Sequence, residues 1–71
     1  MPPILSSKDV VKALKKMGFA EAGQKGSHKK LKHQDGRTVI VPMHKEISPG
    51  TLRSIAKQAK TTMEDIAANA R

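Results

Sequence analysis

Lys29-Lys30-Leu31-Lys32-His33-Gln34-Asp35-Gly36-Arg37-Thr38-Val39-Ile40-Val41-Pro42 reads as two strands folded back on each other about Asp35-Gly36. The type I′ two-residue hairpin turn needs positive φ at both positions, and Asp-Gly is among the few pairs that supply it. Thr38, Val39, Ile40 and Val41 are all β-branched and suit the returning arm. Pro42 ends that arm, because proline has no N–H to give to the ladder. With Asp35 and Gly36 as the loop, Gln34 faces Arg37 and Leu31 faces Ile40. Leu31 and Ile40 then share the core face, and His28, Lys30, Lys32, Val39 and Val41 lie on the other. A one-residue slip in the turn reverses this assignment.

Working outward, Ser6 and Asp9 have the reciprocal spacing of a capping box, which starts a helix over residues 7–17. Val10, Val11, Leu14 and Met17 fall near one face of it, and Lys8, Lys12, Lys15 and Lys16 cover the rest. Gly18 stands where a left-handed cap closes a helix, and Phe19 can fold back on it. A short strand is expected before Gly26. Downstream, Ser48 caps a helix over residues 49–60, with Pro49 at its first position. Leu52, Ile55, Ala56 and Ala59 form its apolar stripe. Thr61 and Glu64 offer a second capping box for a short helix over residues 62–70. Each helix has one apolar face, so all of them cover one side of the sheet and leave the other open. The fold expected is a two-layer α+β domain: helix, three-stranded antiparallel sheet, helix and a short C-terminal helix.

Seventy-one residues make one small domain spanning 1–71, with a thin core. There is no cysteine to staple it, and Phe19 is the only aromatic, so aliphatic packing must hold it together. Lack of cysteine fits a reducing compartment. Met1-Pro2-Pro3-Ile4-Leu5 lacks the charged head and apolar stretch of a signal peptide, and no apolar run spans a bilayer. A cytoplasmic chain with no membrane partner is expected. Fourteen Lys and Arg against six Asp and Glu leave a net charge of +8, which favours polyanionic partners. The charge is concentrated: residues 1–33 hold eight lysines and only two acids, Asp9 and Glu21.

Gly26-Ser27-His28-Lys29-Lys30 lies at the centre of that charge. A histidine can both take and give a proton near neutral pH, and lysines beside it attract phosphates. That combination points to RNA cleavage with His28 as the catalytic group. Lys25, Lys29, Lys30 and Lys32 are the candidate phosphate contacts. Gly26 supplies backbone freedom at the turn, and Ser27 supports it. A solvated basic face is the plainer reading of the lysines. His33 falls on the helix-covered side and His44 reads as structural, so a second proton-transfer group is not evident. Asp35 belongs to the hairpin, and Glu64 and Asp65 favour a helix start. No metal or other cofactor is expected. Val39 and Val41, placed on the open face by the register above, are the candidate partner-binding residues.

These motifs, taken in order, resemble the HicA mRNA interferase toxins of toxin–antitoxin pairs. The resemblance runs from Ser7 to Ala59. It is carried by the Lys-rich helix ending at Gly18-Phe19, the Gly26-Ser27-His28 turn, the Asp35-Gly36 hairpin, Pro42-Met43-His44 and the Pro49-Gly50-Thr51-Leu52-Arg53-Ser54-Ile55 helix opening. It implies a double-stranded-RNA-binding-domain-like fold and a ribonuclease whose essential histidine is His28. It also implies a HicB-type antitoxin that occludes that histidine. The chain departs from the family pattern in two places, at residues 30–31 and at residue 60. Lys30 and Leu31 stand where many members have an aromatic residue, and Lys60 stands where many have a glycine.

Two other functions compete with cleavage. One is a non-catalytic RNA-binding module, although a double-stranded-RNA binder spans about 16 base pairs and two minor grooves. The other is a helix-turn-helix, which the acidic Thr62-Met63-Glu64-Asp65 start of its second helix disfavours.

Overall fold

The computed structural model describes residues 4–71. Met1, Pro2 and Pro3, part of the opening read above for a leader, lie outside them. The order is α1 (Ser7–Lys16), β1 (Phe19–Lys25), β2 (His28–His33), β3 (Thr38–Pro42), α2 (Pro49–Ala59) and α3 (Met63–Asn69). The strands form one antiparallel sheet in the order β1-β2-β3. This is the expected α+β, double-stranded-RNA-binding-domain-like arrangement. No helix among the described residues is long and apolar enough to cross a membrane.

The helix starts follow their sequence signals. The Ser6 hydroxyl accepts from the Asp9 N–H at 3.2 Å, and the Asp9 carboxylate accepts from the Ser6 N–H at 3.0 Å. Ser48 caps α2 by accepting from the Thr51 N–H at 3.2 Å. The cap of α3 lies one residue later than expected: Thr62, not Thr61, accepts from the Asp65 N–H at 3.1 Å. The cause is the end of α2. Lys60 adopts a left-handed conformation at φ 55°, and the Thr61 N–H reaches back to the Ala56 carbonyl at 2.9 Å. That closure uses up Thr61 before the next helix can begin.

Lys60 therefore holds the left-handed conformation that glycine adopts without strain, and a side chain there is strained. Lys60→Gly is expected to stabilise the fold by about 0.5–1 kcal/mol, the strain relieved less the extra freedom of glycine when unfolded. Thermal denaturation should show a midpoint a few degrees higher. An unchanged or lowered midpoint would remove strain at Lys60 from the account.

One core fills the space between sheet and helices. α1 contributes Val10, Val11, Ala13 and Leu14, and the sheet contributes Phe19, Leu31, Val39 and Val41. α2 adds Leu52, Ile55, Ala56 and Ala59, and α3 adds Ile66. Met17, Met43 and Met63 pack against it, partly buried. A Cβ on Gly18 would lie 2.7 Å from the His33 ring, at a φ of +100°, so the Gly18-Phe19 pair is fixed by close approach as well as by backbone.

The β2–β3 register corrects the sequence reading. His33 donates its N–H to the Arg37 carbonyl at 2.9 Å, and the Gly36 N–H reaches the His33 carbonyl at 3.0 Å. The loop is thus three residues, Gln34-Asp35-Gly36, with only Gly36 at positive φ (98°). Asp35 avoids the left-handed conformation that a two-residue turn would have forced on it. Leu31 then faces Val39, and Lys30 faces Ile40. Val39 and Val41 are 0% exposed, and Ile40 is 38% exposed. The slip buries two β-branched residues at the cost of exposing one. Val39 and Val41 are core residues, so neither is on the open face and neither offers a partner surface.

Candidate functional site

His28 opens the central strand. Its backbone is paired on both sides, to Lys25 of β1 and Pro42 of β3. The turn that delivers it is two residues long, with Gly26 at φ 59°, the left-handed first position of a II′-type hairpin. The Gly26 carbonyl accepts from the Gln24 side chain at 3.1 Å, and the Ser27 carbonyl accepts from the Met43 N–H at 2.6 Å. Ser27 thus supports the turn through its backbone. It ties the tip to the chain leaving β3.

Paired residues share a face of a sheet, so the helix-free side can be read row by row. Lys25, His28 and Pro42 form the first row. Gly23, Lys30 and Ile40 form the second, and Ala20, Lys32 and Thr38 the third. A β-bulge between Glu21 and Gly23 turns Gly23 and Lys25 toward this face. Gly23 adds no side chain to the middle row, which leaves an open depression of about 590 Å³ against Lys25, His28, Lys30 and Ile40. The His28 ring is exposed there, with no hydrogen-bond partner among the described residues. Lys32 lies on the same face, two rows from His28.

Lys29 does not join them. It points to the helix side, where its ammonium meets Glu21 at 2.9 Å and its side chain is 17% exposed. Lys15 of α1 pairs with the same carboxylate. Hydrogen bonds from Lys15 first and Lys29 second hold the Glu21 carboxyl down at about 2. A lowered carboxyl stabilises the fold above its ordinary value of 4.5, and that contribution is lost only as pH falls toward 2. The tie is therefore closed throughout the neutral range.

The other histidines do not line the His28 depression. His33 meets Phe19 edge to face, with ring centroids 5.2 Å apart, and its Nδ1 accepts the Asp35 N–H at 3.1 Å. It lies five residues along β2 from His28, roughly 16 Å away. The His44 carbonyl accepts from the Ser7 N–H at 3.0 Å, tying this segment to the start of α1. Arg37, which no sequence signal singled out, bridges three elements. Its guanidinium donates to Asp35 at 2.8 Å and to the Ala59 carbonyl at 2.6 Å, and lies 5.0 Å from the Phe19 ring centroid. The Arg37 backbone N–H and then its side chain hold the Asp35 carboxyl below its ordinary value. Among the described residues no three His, Cys, Asp or Glu side chains converge as a metal site.

A bare sheet face with one accessible imidazole among lysines defines a small basic α+β protein. Comparison with known proteins names the family. A family model described as HicA toxin of bacterial toxin-antitoxin matches residues 7–61. A chain of a solved toxin–antitoxin complex from Streptococcus pneumoniae is 37% identical, with a TM-score of 0.70 over 79% of this chain and 97% of that one. No curated protein sequence matches. The chain belongs to the HicA toxin family of toxin–antitoxin systems.

Proposed function

We propose that this chain is a metal-independent endoribonuclease that cleaves mRNA with His28 as its general acid–base group. The observation that carries this reading is the depression in which His28 is exposed beside Lys25 and Lys30. A neutral imidazole there takes the proton of an RNA 2′-hydroxyl. The 2′-oxygen bonds to the adjacent phosphorus, and the bond from phosphorus to the 5′-oxygen breaks. The products are a 2′,3′-cyclic phosphate and a 5′-hydroxyl, whose proton comes from water or a lysine ammonium. Lys25 and Lys30 offset the negative charge that builds on the phosphoryl oxygens.

Under the same reading, a HicB-type antitoxin neutralises the toxin by covering His28. Ile40, exposed in the same depression, is the apolar contact that Val39 and Val41 cannot supply. The relative from Streptococcus pneumoniae is part of a toxin–antitoxin complex, which supports an antitoxin partner here.

The competing reading is a non-catalytic RNA-binding module. It is favoured by one feature: the depression holds no second imidazole and no carboxylate. Incubation with long single-stranded RNA in excess EDTA separates the two. Cleavage leaving 2′,3′-cyclic ends supports the ribonuclease. Binding with no cleavage supports the module.

A further inference from the structure

A second basic depression lies on the opposite side of the sheet from His28. Lys8, Lys12 and Lys15 stand four and three residues apart and so form one stripe along α1. All three are exposed, and neither Lys8 nor Lys12 makes an ion pair among the described residues. With Lys29 and Glu21 they surround a depression of about 310 Å³ between α1 and the sheet. Four ammonium groups thus face one carboxylate.

The two depressions share no lining residue but adjoin along the central strand. His28 and Lys29 are neighbours on the central strand and point to opposite faces. Met43 borders the α1 depression, and its N–H is held by the Ser27 carbonyl.

Resting on the ribonuclease reading, we propose that the α1 lysine stripe is a second RNA-backbone subsite. The RNA bound at His28 is then a single strand that rounds the Gly26-Ser27 end of the sheet and is held on both sides of it. The chemistry of the stripe fits phosphodiesters and no base in particular. Lysines are point charges without the planar fork of arginine, and no aromatic ring borders the depression to stack a base. A stiff duplex can lie against one side or the other, but it cannot turn round a body whose shortest extent is 19 Å. Glu21 competes with phosphate for Lys15 and Lys29 and so sets the strength of the subsite.

Binding of a 2′-O-methyl oligouridylate tests this, because the blocked 2′-hydroxyl prevents cleavage. Each phosphate contact to a single strand contributes about 0.7 to the slope of log K against log salt. Lys8→Gln with Lys12→Gln is expected to weaken binding and flatten that slope by about 1.4. Glu21→Gln is expected to tighten binding and steepen the slope. Both variants should keep a melting curve, which shows that they fold. A slope unchanged in the double variant overturns the proposal. So does the same flattening with an RNA duplex of equal length. A variant that loses only antitoxin affinity assigns the stripe to a protein partner and also overturns it. Flattening in the double variant as expected, with wild-type protein that cleaves no RNA, would instead refute the ribonuclease reading and leave the subsite standing.

Discussion

His28→Ala is expected to slow RNA cleavage by about 10²- to 10⁴-fold, the usual worth of one acid–base group. Affinity for a non-cleavable strand should change little, since the variant keeps every lysine of the face. The ring is exposed in the depression, while its backbone is locked between two strands, so alanine removes the imidazole without disturbing the sheet. Single-turnover cleavage with enzyme in excess isolates the chemical step and is the measurement to make. Lys30→Gln is the useful companion. It removes charge from the same depression and should weaken binding and flatten the salt dependence, with a smaller effect on the bound rate. A His28→Ala protein that cleaves at the wild-type rate would end the acid–base assignment. One that loses binding and cleavage together would make His28 a contact residue.

The elements that local chemistry dictates were legible from the residues alone. The Ser6–Asp9 box, the Ser48-Pro49 start and the Gly18 stop each report on their own few neighbours, and each was readable for that reason. β1 was only half legible. Six of its seven residues are exposed, and Ala20 to Gln24 show no alternation of polar and apolar side chains. The strand exists because β2 pairs with it, and no local pattern records that. The left-handed cap at Lys60 was hidden for a related reason: a lysine carries no sign of positive φ. The position of Lys29 was recoverable by alternation from His28, since neighbours on a strand face opposite ways. Charge groups it with Lys25, Lys30 and Lys32, and the pleat sets it apart from them. Its partner Glu21, arriving from another strand, had no signal in the sequence.

Val39→Lys is expected to leave the chain largely unfolded at room temperature, whereas Ile40→Lys should fold with a melting midpoint near that of the wild type. A one-residue difference in hairpin register separates these outcomes. Three loop residues put Val39 at the centre of the core, where a lysine ammonium would find no partner and no water. Leaving such a charge unpaired in the interior costs roughly 3–5 kcal/mol, much of the stability a domain of this size has. Two loop residues would have put Ile40 there, and the two variants would trade places. Asp35-Gly36 fits either loop, so turn chemistry alone could not choose between them. The choice lies with Val39 and Val41, which together bury more apolar surface than Ile40 does by itself. The surviving variant then reports on function. A lysine at position 40, beside Lys30 and His28, removes the apolar contact assigned to the antitoxin. A lower antitoxin affinity with a normal melting curve is the expected result. Unchanged affinity would mean that the antitoxin covers His28 without using the middle row of the sheet.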